Sequence, residues 1–329
     1  MRRLAPLATA VLAVTAAPAA RAESLDLDLT RLGAPDPNVW TAIYANNGGT
    51  LADPGAAAKD QLAMQAKQRF ALLSTEMGLA ISSALLRPAS TTGYSGFAVD
   101  IETAFAEVHP DPIGVGTAGF TASAWPTGSA PSQLIIPSIH VRKALPFSFE
   151  VGGRILYLNS SNYFAAQGEA LWALNEGFEY VPDFAIRAAY TRMLGVKDWN
   201  LSSTDLDFLV SMRFALKGVT SFTPYVAARF TFVSASTERM DFAPCRGGPA
   251  ATPCVLGSDP ANRASTQASF PLFRTGLYRT TLGVRFTAYT VSLAVEGTYF
   301  SGASPTVSDY DGVTIPSSFS GAAKLGWEF

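Results

Sequence analysis

The end of the chain constrains its fold most. Phe319, Gly321, Ala323, Leu325, Trp327 and Phe329 fall on one face of a strand. Ser318, Ser320, Ala322, Lys324, Gly326 and Glu328 fall on the other. A period of two that runs to the last residue, apolar on one side and charged on the other, predicts a wall between lipid and water.

The same period recurs upstream. Phe97, Val99, Ile101, Thr103 and Phe105 alternate with Asp100, Glu102, Ala104 and Ala106. Leu206, Phe208, Val210, Met212, Phe214 and Leu216 are backed by Asp205, Asp207, Ser211, Arg213, Ala215 and Lys217. Further strands are predicted near Ile135 to Val141, Phe147 to Leu158, Phe164 to Leu174, Phe184 to Thr191, Tyr225 to Ser234, Tyr278 to Ala288 and Val291 to Tyr299. A first strand is read from Glu76, where Met77, Leu79, Ile81, Ser83 and Leu85 alternate with mostly small residues, and a weaker one near Thr117 to Trp125.

Connection lengths give the topology. Leu145-Pro146, Gly177 to Pro182, Gly218 to Thr220 and Tyr289-Thr290 are short, whereas the segments around Thr91, Thr127 to Gln133, Thr237 to Phe273 and Ser301 to Pro316 are longer. Asn159 to Tyr163, short but on the long-loop side, and Glu107 to Gly116, long but on the short-turn side, fit the alternation less well. With the C-terminus on the short-turn side, parity predicts an all-β, closed antiparallel transmembrane β-barrel over residues 74–329, of about 12 strands. About 10 strands follow if the first and the weak one are not strands. A soluble β-sandwich fits less well. The inferred polar face carries both signs of charge, and Tyr157, Trp172, Tyr190, Tyr278, Tyr299 and Trp327 sit near strand ends, as interfacial aromatics do.

Composition agrees. The chain is 48% hydrophobic and only 15% charged, yet its longest uncharged run, Pro112 to Val141, is broken by prolines. A net charge of −2 excludes a basic field for nucleic acid. At the other end, Arg2 and Arg3, the apolar Leu4 to Ala17 and the small-x-small Ala20-Arg21-Ala22 read as a secretory signal peptide over residues 1–22. Residues 23–73 form an N-terminal extension. Asp53-Pro54 is a helix start, and good helix formers predict a short helix over about 54–70, placed either on the barrel rim or as a plug in the lumen.

The leader, the alternating strands and the terminal Leu325-Gly326-Trp327-Glu328-Phe329 resemble Gram-negative outer-membrane β-barrels of porin-like type. The resemblance implies an outer-membrane location with both termini periplasmic. It implies outer-membrane lipid, periplasmic chaperones and the barrel-assembly machinery as partners, the last reading Trp327 and Phe329 as an assembly signal. A helix ahead of the barrel is also similar to the order in autotransporters, although no sizeable passenger precedes it here. Cys245 and Cys254 flank a turn-rich stretch, and after export a disulfide between them is expected, contributing roughly 2–3 kcal/mol of loop ordering.

Parity assigns the lumen or a constriction to Glu76, Asp100, Glu102, Arg142, Glu150, Arg154, Asp205, Asp207, Arg213, Arg229, Arg279, Arg285 and Glu296. Glu169, Arg187, Lys217, Lys324 and Glu328 share that face, with Arg154–Glu169 and Arg187–Asp205 as expected ion pairs. Early strands contribute acids and late strands arginines, an arrangement that suits a pore for small polar solutes of unspecified identity. The alternative is a structural or surface-interaction barrel whose lumen is closed by ion pairs. Enzymatic activity is not expected: Ser138 and His140 share an inward face, which does not suit a lipid hydrolase. No metal cluster or cofactor motif stands out.

Overall fold

The computed structural model describes the chain from Gly55 to Phe329, apart from positions 83, 110–112, 115–120, 123–124, 126–131, 160, 162, 179, 197–198, 217–218, 238–239, 242–266, 269–271 and 304–313. The leader and the Cys245–Cys254 loop lie outside the described residues.

Among the described residues, ten long strands follow one helix. Helix α1 is Gly55–Ile81. The strands are β1 Phe97–Glu107, β2 Gln133–Leu145, β3 Phe149–Tyr157, β4 Phe164–Asn175 and β5 Asp183–Leu194. They continue as β6 Trp199–Ser211, β7 Thr220–Thr237, β8 Phe273–Ala288, β9 Val291–Phe300 and β10 Ser318–Glu328. Each pairs antiparallel with its chain neighbour, and β1 pairs with β10, which closes the barrel. The two-residue piece Phe214–Ala215 adds to the edge of β7.

The expected alternation holds around the barrel. β2 reads exposed and buried in strict turn over its 13 residues, and β4 to β8 follow the same period. Outward positions carry Ile101, Ile139, Ile155, Phe208, Phe230, Leu282 and Val295, all exposed. Inward positions carry most of the charged side chains. An apolar exterior around a polar interior is the inverse of a soluble fold and belongs to a barrel that crosses a membrane. Trp172 stacks on Phe149 with ring centroids 5.6 Å apart, and Phe230 packs between Phe208 and Tyr278, so cross-strand aromatic pairs line the outer surface.

Phe329 exchanges backbone hydrogen bonds with Phe97, which brings the C-terminus to the start of β1. The barrel end with Phe329 also holds the connections 146–148, 176–182, 212–219 and 289–290. We call it the turn end. The strand ends that flank 108–132, 238–272 and 301–317 lie at the other, the loop end.

The strand count corrects the sequence reading at both doubtful places. Residues 76–81 are the last part of α1, so the first expected strand does not form. Between β1 and β2 the described residues form only Ile113–Gly114 paired with Thr121–Ala122, outside the main sheet. Ten strands, the alternative, is therefore the observed number. Alternation in Met77, Leu79 and Ile81 is equally what a helix shows when apolar residues surround it.

Candidate functional site

The lumen is filled by the chain itself. Every described residue from Gln68 to Ser82 is buried, on all faces of the helix, and Ala84 to Ala89 continue buried beyond it. Of the two placements open from sequence, the plug is the observed one, and the helix runs eleven residues past Phe70 to Ile81. Its direction is set by its contacts. Phe70 meets Trp199, which begins β6 at the loop end, with ring centroids 6.3 Å apart. Glu76 accepts hydrogen bonds from Trp125 Nε1 at 2.6 Å and the His109 backbone N–H at 3.2 Å, also near the loop end. Ala89 N–H reaches Ser211 Oγ at 3.0 Å and Thr91 N–H reaches Glu176 at 2.7 Å, both at the turn end. The chain thus threads the barrel from the loop end to the turn end before β1 begins.

Gly78 lets the helix lie close to the wall. A Cβ there would come within 2.6 Å of a Val233 methyl on β7, so while Val233 keeps its methyls a larger residue forces the helix or that side chain to shift. The last turn has no basic residue of its own to satisfy its carbonyls. The wall supplies them: Arg229 Nη2 donates to Ser82 O at 3.0 Å, and Arg279 Nη2 donates to Ser82 Oγ at 2.9 Å. Two guanidinium groups at the negative end of the helix dipole fix it in mid-lumen. Just beyond, the consecutive N–H groups of Leu85 and Leu86 both donate to Glu296, each at 2.6 Å, and Tyr225 Oη donates to the same carboxylate at 2.7 Å. Leu86 sits at φ 54°, a left-handed turn that this carboxylate clamp holds.

Ion pairs run around the wall in two arcs. In the first, Asp100 on β1 joins Lys324 of β10 at 3.2 Å and Arg142 of β2 at 2.9 Å, and Arg142 joins Glu150 of β3 at 3.2 Å. Glu102 joins Arg154 of β3 at 2.7 Å. In the second, Arg187 on β5 bridges Glu169 of β4 at 2.6 Å and Asp207 of β6. Asp207 meets Arg229 of β7 at 3.0 Å, and Asp205 meets Arg279 of β8 at 2.7 Å. The threaded segment joins the arcs: Arg87 reaches Glu150 at 2.7 Å and Glu169 at 2.9 Å while 1% exposed. Arg285 and Glu328 pair at 3.2 Å near the turn end. On β10, Gly326 leaves the space that Asp100 fills, since a Cβ there would overlap its carboxylate.

Most expected lumen residues do face inward, two need correction, and Lys217 lies outside the described residues. Glu76 is inside but on α1, not on a strand. Arg213 is exposed just past the end of β6: Met212 N–H still bonds Pro224 O and Phe214 still pairs with Phe222, but this stretch lies beyond the buried part of the wall at the turn end. The expected partners also change. Register places Gln167 opposite Arg154 and Asp207 opposite Arg187, so Arg154 pairs with Glu102, and Arg187 with Glu169 and Asp207. The acidic early strands do not face the late arginines across an open pore. Asp100 and Glu102 find their cations on β2, β3 and β10 beside them. Arg87, which ties the two arcs together, carried no sequence signal, as no periodicity distinguishes a residue in an extended plug. Ser138 Oγ and His140 Nδ1 both turn to Glu102, at 3.2 and 3.1 Å. Asp100, Glu102 and His140 have ligand-type atoms within 4.8 Å of one another, but Arg142, Arg154 and Lys324 already neutralise the carboxylates.

No protein-family model matches the chain, and no curated protein matches its sequence. Among solved structures it is similar to the translocator domain of the autotransporter NalP from Neisseria meningitidis, at 8% identity over 79% of this chain and 96% of that one, with a TM-score of 0.36. It is also similar to Neisserial surface protein A, at 12% identity over 70% and 95% of the two chains, TM-score 0.26. The N-terminal β-barrel domain of OprF from Pseudomonas aeruginosa stands at 12% identity over 70% and 97%, TM-score 0.26. These neighbours are Gram-negative outer-membrane barrels, and at such distance they carry no argument on function.

Proposed function

We propose that this protein is an outer-membrane barrel closed by its own chain, which works through what it presents at the loop end. The observation that carries this reading is the buried segment Gln68 to Ala89, held in the lumen by Arg229, Arg279, Glu296, Glu150 and Glu169. A pore for small polar solutes needs a continuous aqueous path, and here the inward charges are spent on each other and on the plug. If short turns face the periplasm, as in bacterial outer-membrane barrels, the loop end faces outward. The start of α1 then lies on the outer side and Phe329 on the periplasmic side. This departs from the expectation that both ends of the chain are periplasmic.

Liposome swelling tests this. Vesicles containing the purified full-length protein are expected to swell in isotonic sugars and amino acids no faster than protein-free vesicles. Rapid swelling in the smallest solutes would restore the pore reading.

A further inference from the structure

The outer surface carries a polar row where an apolar one is expected. Arg192 on β5 is opposite Ser202 on β6, Ser202 is opposite Ser234 on β7, and Ser234 is opposite Arg274 on β8. All four point outward, at one height near the loop end, and both arginines are exposed. The next row toward the loops adds Asn200 opposite Ser236. Arg192 Nη2 donates to Asn200 Oδ1 at 3.3 Å, which turns the guanidinium along the row. The row toward the turn end is Tyr190, Thr204 and Phe232, and below it come Leu206, Phe230 and Tyr278. An aromatic band thus lies directly beneath two cations and a line of hydroxyls.

This sector differs from the rest of the wall. At the loop end of β1 the outward charge is Glu107, which accepts the Phe319 backbone N–H at 2.8 Å. Lys143, the outward cation of β2, lies at the turn end and donates to Ser95 O at 2.5 Å. Two outward cations with no acidic partner among the described residues therefore share one row, on strands about 14 Å apart by sheet spacing. They sit where the aromatic girdle meets the membrane surface. Arginine forks and hydroxyl donors match phosphate oxygens, while the apolar rows below match acyl chains.

We infer that the β5–β8 face at the loop end binds the phosphate-bearing headgroup of a membrane lipid, with Arg192 and Arg274 as the charge contacts and Ser202 and Ser234 as donors between them. The inference rests on the barrel crossing a membrane and not on the closure of its lumen.

The test measures lipid association of the full-length protein in neutral detergent, with diphosphorylated lipid A as the probe, phosphatidylcholine as the uncharged control and inorganic phosphate as the soluble one. Wild type is expected to bind lipid A, and Arg192→Gln/Arg274→Gln to bind it about 30-fold more weakly. Lys143→Gln should leave binding unchanged. Folding of each variant is checked by its β-sheet circular dichroism, since substitutions on exposed positions leave the interior intact. Equal lipid A binding by the double variant and wild type would overturn the site. Equal retention of phosphatidylcholine would show that the acyl chains alone are held. Binding of free phosphate as strong as that of lipid A would overturn the lipid as its source.

Discussion

Removing the threaded segment is expected to turn a silent barrel into a conducting one. A variant lacking residues 23–92 keeps every strand but loses Gln68 to Ala89 from the lumen. Arg229, Arg279, Glu296, Glu150 and Glu169 would then line a water-filled path with no backbone to bind. Planar bilayers should record discrete channel events from this variant and none from the full chain. A wall of ten strands is slightly wider than the eight that side chains alone fill, so it accommodates a threaded backbone. A second variant guards against failure of the deletion to fold. Arg229→Ser/Arg279→Ser/Glu296→Ser keeps the segment but removes its anchors, and should give brief, flickering events. Silence from folded forms of both variants would mean that the wall closes the lumen without the plug.

The largest expected loss of stability comes from Arg187→Met. Arg187 is fully buried and bridges Glu169 and Asp207, so its removal leaves these carboxylates to Arg87 and Arg229 alone and the cluster one positive charge short, away from water. Breaking a buried ion pair on one side costs about 3–5 kcal/mol. Urea unfolding of the refolded barrel in micelles should show a loss of that size. Adding Asp207→Asn should recover part of it, since the uncompensated charge is the source and the two sites are coupled. A loss below about 1 kcal/mol, in the range of exposed pairs, would mean that water already screens the lumen.

Much of this molecule was legible in its sequence, because the wall has one period and two solvents. Alternation alone puts Asp100, Glu102, Arg142, Glu150, Arg154, Asp205, Asp207, Arg229, Arg279, Arg285 and Glu296 inside, and each is buried. Pairing was less legible. Arg187 and Asp207 become opposite only in a register that turn geometry fixes, and a shift in register changes every partner. The plug was half legible. The helix start at Pro54 announces itself, but its end does not. A helix enclosed on all sides has no polar face to mark its period, so Glu76 to Leu85 reads as a strand as readily as a helix. Arg213 was misplaced for a simpler reason: apolar Met212, Phe214 and Leu216 continue the outward pattern of β6, and pairing with β7 continues with them, but past the buried part of the wall, where Arg213 is exposed.

Closure of the lumen by α1 is most directly tested by locking it there. A Cβ at position 78 lies 3.2 Å from Val233 Cβ, close to the roughly 3.5–4.5 Å that a disulfide spans. Gly78→Cys/Val233→Cys, made in a Cys245→Ser/Cys254→Ser background, should oxidise to a disulfide in the membrane-inserted barrel, seen as a mobility shift that reductant reverses. Near-complete linkage is expected, with neither thiol open to a water-soluble maleimide. Two unlinked thiols that the maleimide modifies freely would place the helix outside the barrel and contradict it.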